Sequence, residues 1–432
     1  MNIFEQVESQ VRVYCRSFPV TFVSASGSRI VDQSGREYID LFSGAGALNY
    51  GHNNPRLKRR LLDYLASDGI THSLDMSTAA KAEFLERFQE VILSPRGLDY
   101  KVQFTGPTGT NAVEAALKLA RKVTGRQTVV YFYNAFHGMT LGAMSVMGNA
   151  AKRASMGIPI GGTLPMPFDG DLGPGQDTLA VLQGLIENGG GIGKPAAVIV
   201  ETIQCEGGIR VAGFEWLGRL ARLLRKHEIP LIVDDIQTGC GRTGPFFSFE
   251  PAGIRPDLVC LSKSISGFGL PMSLVLIRPD LDIWKPGEHN GTFRGNNLAF
   301  VAGAEALGYW EDGRLSEQVR QQGSFVQQRL KSMMRRYLSL IREVRGRGLV
   351  QGIVFHQPGL AVEISRAAFE RGLIIETAGP RDEVLKLLPP LLIEAADLER
   401  SLAIIEESLE EVLPTAPIVV EAPAWSAMER MS

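Results

Sequence analysis

The chain is poor in the features that mark several large classes of protein. Its 432 residues include four cysteines: Cys15, Cys205, Cys240 and Cys260. They form no C-x-x-C pair and show no metal-ligand spacing. That excludes a disulfide framework and a thiolate metal centre, and it suits free thiols in a reducing compartment. No stretch approaches the roughly 18 consecutive apolar residues of a membrane helix. The opening, Met1 to Gln6, has no basic region followed by an apolar one, so no signal peptide is expected. Neither sign of charge dominates. Lys plus Arg number 45 and Asp plus Glu 47, a formal net charge of −2, which leaves no electrostatic case for a nucleic-acid partner. There are no internal repeats and no low-complexity segments. The expectation is a cytoplasmic protein without a membrane partner.

What is present is an ordinary globular composition, 44% hydrophobic and 21% charged. The length suffices for about two or three domains with a sizeable core. Residues 27–40 read as a hairpin, with a turn at Gln33-Ser34-Gly35. Residues 42–52 are glycine-rich and read as a loop packed near a ligand. Helical spacing marks 55–66 and 78–91. From residue 100 onward, apolar runs at 100–104, 128–132, 196–200, 230–233, 258–261 and 273–277 read as strands. Helical patterns at 110–123 and 214–227 lie among them. Buried strands separated by helices predict a mostly parallel sheet covered on both faces. Such sheets bind ligands at the carboxyl ends of their strands. Beyond about residue 300, long helices at 298–311 and 315–337, strands at 344 and 348–355, and helices at 360–371 and 394–413 suggest a smaller α+β unit. The expected division is 1–50 as an arm and part of the small domain, 51–310 as the large domain, and 311–413 as the C-terminal small domain. The tail, 414–432, is expected to be extended or disordered.

The run 258–261 leads into Lys263, set among Ser262, Ser264, Ser266 and Gly267. Burial at a strand end favours the neutral amine, and a neutral amine can attack an aldehyde to form a Schiff base. A solvated strand-end lysine is the plain alternative. Against it stands Asp234, at the end of another apolar run and 263 − 234 = 29 residues upstream. A carboxylate there can keep a pyridine nitrogen protonated, so that the ring draws in the electrons released when a Cα–H bond breaks. Gln237, three residues on, could bond a ring hydroxyl. Paired aspartates can also be a solvated turn or metal ligands, but no histidine or further acid stands at suitable spacing for a metal. Thr105-Gly106-Pro107-Thr108-Gly109-Thr110-Asn111 lies between a strand and a helix. Free backbone N–H groups there favour a phosphate, or the stretch is a plain N-cap with a glycine turn. It is neither a Walker loop nor G-x-G-x-x-G. Phe136, after the 128–132 run, could stack on a flat heterocycle or pack in the core.

A phosphate cradle, a ring platform, an acid and a Schiff-base lysine on one rim describe a pyridoxal phosphate (PLP) site. Residues from about 20 to 400 resemble a class III, ornithine/GABA-type aminotransferase of PLP fold type I. The residues that carry the resemblance are Ile232-Val233-Asp234-Asp235-Ile236-Gln237-Thr238-Gly239, then Arg242-Thr243-Gly244, then Ser262-Lys263, with Glu201, Gln204 and Glu206-Gly207-Gly208. The resemblance implies an α/β fold: a mostly parallel seven-stranded sheet flanked by helices, plus a small domain built from both ends of the chain. It implies that Lys263 carries the cofactor and shuttles the proton, that Asp234 pairs the ring nitrogen and that Gln237 contacts the ring hydroxyl. Phe136 would stack on the ring, with His137 and Glu201 beside it. Thr108, Gly109 and Thr110 would hold the phosphate, joined by Thr292 from a neighbouring subunit. That last role implies a homodimer with shared active sites, alone or paired into a tetramer.

Within the family, residues 44–55, 105–121, 261–270 and 285–297 resemble the branch that interconverts L-2,4-diaminobutyrate and aspartate 4-semialdehyde, with glutamate and 2-oxoglutarate as the partner pair. The resemblance implies that reaction, placed in ectoine or siderophore biosynthesis. Two departures stand out. Where relatives place an arginine before Pro-Pro to grip a carboxylate, this chain has Lys386 before Leu387-Leu388-Pro389-Pro390. Lysine lacks the bidentate fork, so Arg294 is a candidate for a second cation. Glu206 would neutralise Lys386 for one substrate and release it for the other. Cys205 stands where a glycine is usual. The rival readings are an aminotransferase of the same family acting on another ω-amine, a sister activity (aminomutase, racemase or decarboxylase), and a PLP-fold binding protein without turnover.

Overall fold

The computed structural model describes residues 3–158, 161–188, 191 and 193–413. The tail expected to be extended, 414–432, lies outside the described residues. The central sheet has seven strands. In spatial order they are Lys101–Phe104, Leu274–Ile277, Leu258–Leu261, Leu231–Asp234, Ala197–Val200, Val129–Phe132 and Thr163–Met166. The last five pair in parallel. Leu274–Ile277 runs antiparallel to both of its neighbours.

Every residue of Leu258–Leu261, Leu231–Asp234 and Ala197–Val200 is buried. A sheet covered on both faces needs apolar side chains at both phases of the pleat, hence the unbroken runs. Alternate residues feed opposite layers. Ile199, Ile232 and Leu258 pack under the alanine-rich helix Gly109–Thr124. Val198, Val233 and Val259 join the larger cluster, with Leu217, Leu220 and Leu224 of helix Phe214–Lys226. Thr163–Met166 is the strand that the apolar pattern did not announce. It sits at the sheet edge, contains Pro165, and buries only Met166 fully; an edge strand needs no continuous apolar run. The helix read at 78–91 is α-helical over Ala79–Arg87 and widens to a π-helical turn over Phe88–Leu93.

The two ends of the chain meet. Phe22–Ser26, Arg29–Asp32 and Glu37–Asp40 form an antiparallel meander, and Leu373–Ile374 adds to it in parallel, with Leu373 opposite Ile39. A further sheet, ordered Ile341–Arg347, Val350–Phe355, Val384–Leu387, Glu376–Ala378, comes wholly from the C-terminal segment. Arg242 ties these parts to the central sheet. It is completely buried. Its guanidinium donates to the carbonyl of Leu349 at 3.1 Å, to the carbonyl of Pro389, and to Asn49 Oδ1. Replacing Arg242 with Met strands three buried acceptors. At about 1 kcal/mol or more for each, the variant is expected to lose roughly 3 kcal/mol, read as a lower urea midpoint with an unchanged slope.

Candidate active site

The site grows from one register. Asp234, the last residue of its strand, lies opposite Cys260 of the parallel neighbour. Three residues beyond Cys260, the chain turns at Lys263, which opens a short 3-10 turn with φ = 53°. A non-glycine residue in that left-handed region costs roughly 1–2 kcal/mol. Lys263 Nζ donates to the carbonyl oxygen of Ala45 at 2.9 Å, and Gln237 Nε2 donates to the same oxygen at 2.8 Å. Gly44 and Ala45 both have φ near 57°. That turn aims one backbone carbonyl of the glycine-rich loop into the cleft.

Asp234 Oδ2 lies 2.7 Å from His137 Nδ1, and both side chains are buried. A carboxylate accepts, so Nδ1 carries the hydrogen. Asp234 Oδ1 accepts from the backbone N–H of Ile236 at 3.1 Å. Asp235 points away, to hydroxyl and backbone donors of Thr238 and Ser248, and burial pushes its carboxyl up to about 6. Of the paired aspartates, Asp234 alone lines the cleft.

The cleft holds about 160 Å³. It brings together Gly109, Thr110, Phe136, His137, Gly138, Glu201, Glu206, Asp234, Gln237 and Lys263. Glu201 is buried and accepts from the backbone N–H of Phe136 at 3.0 Å. Burial, and then the charge of Asp234, push its carboxyl well above the usual range. Burial also lowers the pKa of Lys263, against the pull of Glu206. At the other end of the cleft, the helix Gly109–Thr124 presents its first turn. Its cap is set by Asn111 Oδ1, which accepts from the N–H of Thr108 at 3.2 Å and from its hydroxyl at 2.9 Å. Two glycines hold this end open. A Cβ on Gly109 would stand 2.9 Å from Ile236 Cδ1. One on Gly138, at φ = 123°, would stand 2.5 Å from Thr110 Oγ1.

Beside the cleft, Lys386 is fully buried between two acids. Its Nζ lies 2.6 Å from Glu206 Oε1 and 2.8 Å from Glu376 Oε1. Burial alone would lower its pKa, but the two carboxylates outweigh burial and raise it. The sequence reading missed Glu376. No motif marks it, and only the pairing of Glu376–Ala378 with Val384–Leu387 places it opposite Lys386. Arg294 is not brought into this cleft within the chain. It pairs with Asp75 at 2.6 Å, bonds the carbonyl of His289, and lines a separate cavity with Trp284 and Lys101. Thr292 is exposed in the same loop, outside the cleft lining of its own chain. Lys152, which carried no sequence signal, has its Nζ 4.9 Å from the centre of the Phe136 ring. Cys205 fills a small apolar cluster with Ile203, Ile209, Val350 and Val384. Burial pushes its thiol up, away from reactivity.

Comparison with known proteins decides the family. The family described as aminotransferase class-III matches residues 12–409. The chain belongs to the class III aminotransferases. Two of its relatives, each named diaminobutyrate–2-oxoglutarate transaminase, come from Halalkalibacterium halodurans and Streptomyces avermitilis. The first is 54% identical over 98% of this chain and 99% of the relative; the second is 58% identical over 95% and 98%. Among solved structures, an ornithine aminotransferase from Toxoplasma gondii superposes with a TM-score of 0.84 at 28% identity, covering 96% of this chain and 94% of that one.

Class III aminotransferases imply pyridoxal phosphate, and the residues of this cleft fit it. A buried carboxylate and a partly buried lysine face one space, and two glycines stand where side chains would fill it. Gly138→Ala tests the cradle. The added methyl drives Thr110 aside, so cofactor affinity is expected to fall about tenfold or more, the scale of one lost charge-assisted hydrogen bond. Equilibrium titration of the cofactor-free protein by absorbance measures this, with circular dichroism unchanged.

Proposed function

We propose that this aminotransferase exchanges amino groups between L-glutamate and aspartate 4-semialdehyde, giving 2-oxoglutarate and L-2,4-diaminobutyrate, reversibly. The observation that carries the reading is the buried Lys386 cluster beside the Lys263–Asp234 cleft, in a chain similar over nearly its full length to relatives named for that exchange. An enzyme that takes an ω-amine in one half-reaction and an α-amino dicarboxylate in the other must meet hydrogen and carboxylate in turn at one position. A lysine whose charge can be covered and uncovered provides this.

Pyridoxal phosphate, when bound, supplies an aldehyde that takes up the amino group and a ring that draws off the electron pair freed by C–H cleavage. Everything else falls to the chain. In this reading Lys263 holds the cofactor through Nζ. Its pKa, lowered by burial, then suits Nζ to move the proton as general base. Asp234 keeps the ring nitrogen protonated, and the His137 hydrogen bond fixes that carboxylate in place. Gln237 meets the ring hydroxyl, Phe136 stacks on the ring, and Glu201 lies beside them. Thr108, Gly109 and Thr110 hold the phosphate at the helix N-terminus. Thr292, and with it Arg294, reach the site from the neighbouring subunit of a homodimer. Glu206 covers Lys386 when the ω-amine of diaminobutyrate is bound and swings away for the α-carboxylate of glutamate. Lys152, beside Phe136, is in this reading the cation that meets the distal carboxylate of diaminobutyrate.

Absorbance of the loaded protein tests the reading. The cofactor band of the wild type should bleach on adding glutamate or diaminobutyrate and return with 2-oxoglutarate, and Lys263→Ala should show no such exchange. A band indifferent to both amines would refute it. A panel of ω-amines under the same conditions ranks diaminobutyrate against its rivals. In Lys386→Ala, the glutamate half-reaction should lose about tenfold or more in kcat/KM beyond any loss with diaminobutyrate, the worth of a hydrogen bond to a charged group. Equal losses in both halves would overturn the switch.

A further inference from the structure

We propose that Glu376 sets how much of the Lys386 charge a carboxylate substrate can use, and so fixes the balance between the two amino donors; the inference rests on the diaminobutyrate–glutamate reading above. It begins with register. Glu376 and Lys386 are directly opposed in an antiparallel strand pair, and Gly352 flanks Lys386 on its other side. Directly opposed side chains start about 5 Å apart at Cβ, so the Glu376 carboxylate has little freedom to leave. The pair is sealed: Lys386 is wholly buried, and the Glu376 side chain is 9% exposed.

Glu206 is held differently. It stands in the turn joining Ile203–Gln204 to Arg210–Val211, lines the cleft, and has a side chain 22% exposed. Its backbone carbonyl accepts from the N–H of Gly379 at 3.0 Å, and its side chain accepts from Lys386 Nζ at 2.6 Å across the cleft-facing side of the cluster. Of the two acids on Lys386, Glu206 is therefore the one a substrate can displace.

The charge count follows. With all three groups ionised, the cluster carries one net negative charge. When Glu206 turns away, what remains facing the substrate is Lys386 with Glu376, a neutral pair. A lysine with a single displaceable partner would offer a full positive charge at that moment; this one offers a charge already countered. Burial raises the Glu376 carboxyl, and the Lys386 charge pulls it back down; ionised at that distance, Glu376 keeps Lys386 protonated and in place through both halves of the cycle, where burial alone would favour the neutral amine. The same permanent counter-charge weakens the grip on the α-carboxylate of glutamate. A diaminobutyrate molecule, which leaves Glu206 on the lysine, does not feel that loss. Glu376 is on this argument a positioning residue that sets donor preference.

The experiment compares holoenzyme carrying Glu376→Gln with the wild type in separate single-turnover half-reactions, and titrates both with glutarate, a dicarboxylate that has no amine to react. The ratio of KM for glutamate to KM for diaminobutyrate should fall about tenfold, and the Kd for glutarate should fall by a similar factor. Tenfold is a floor: a full charge about 4 Å away at an effective dielectric of about 20 would change binding on the order of a thousandfold. Glu376→Asp, which retracts the carboxylate by one methylene, should shift the ratio the same way by less, and it serves if the glutamine variant does not fold. An unchanged ratio and unchanged glutarate binding in whichever variant folds would overturn the inference, because a merely structural role lowers both half-reactions together. A wild-type enzyme inert to both amino acids would overturn the activity reading, and this inference with it. A wild type active on both, with a flat ratio in the variants, would overturn this inference alone.

Discussion

The constraint on which the site depends is the parallel register that sets Asp234 opposite Cys260. Parallel strands end on one rim, and the residues just past each end are thrown together however far apart they lie in sequence. The loop after Val129–Phe132 delivers Phe136 and His137, the end of Ala197–Val200 delivers Glu201, and the end of Leu258–Leu261 delivers Lys263. Side chains alternate along a strand, so a slip of one residue would exchange Asp234 for Asp235. Asp235 is already committed to Thr238 and Ser248 on the other side. The hydroxyls behind Asp235 thus help hold Asp234 forward, and two adjacent, identical side chains acquire opposite duties from the pleat.

Around that rim, four acids and two lysines share a small, poorly solvated volume, and each charge is settled by a different means. Asp234 is hydrogen-bonded to His137 and to a backbone N–H. Glu201 lies beside Asp234, and burial and that charge push its carboxyl up against the weaker pull of Lys263. Glu206 and Glu376 divide Lys386 between them. Lys263, with a carbonyl oxygen as its hydrogen-bond partner, is pushed toward the free amine. Left unpaired, any of these groups would cost several kcal/mol on burial. The cleft can therefore be dry and densely charged together.

Much of this could be read from the sequence, and the gaps have physical causes. Five of the seven central strands are fully buried and leave unbroken apolar runs, and Lys101–Phe104 alternates polar and apolar residues, so six were legible, and the residue after each buried run was a sound place to look for chemistry. The edge strand Thr163–Met166 left no such trace because only Met166 in it is buried. The Lys263–Asp234 pair was legible because both residues lie at strand ends with fixed spacing. Glu376 was not, because its role comes from a three-residue strand whose partner is set by tertiary pairing. Lys152 was equally silent: a lysine in a short helical turn looks solvated until the Phe136 ring is found beneath it. The carbonyl of Ala45 could not have been found at all, since a backbone acceptor leaves no mark on residue identity.

The meeting of the chain's two ends has a consequence in time. Leu373 pairs with Ile39 across 373 − 39 = 334 residues, so the meander that contains Ile39 lacks its fourth strand until that whole span has left the ribosome. Arg242 likewise waits for Leu349 and Pro389, and Lys386 emerges long after Glu206. The central sheet, complete by Ile277, can assemble first and stand with its rim unfinished. During that interval the first strands present unpaired backbone edges. Loop closure over such a span is slow even where its equilibrium cost is modest. The substrate end of the cleft is thus completed only 386 − 277 = 109 residues after the last strand of the central sheet.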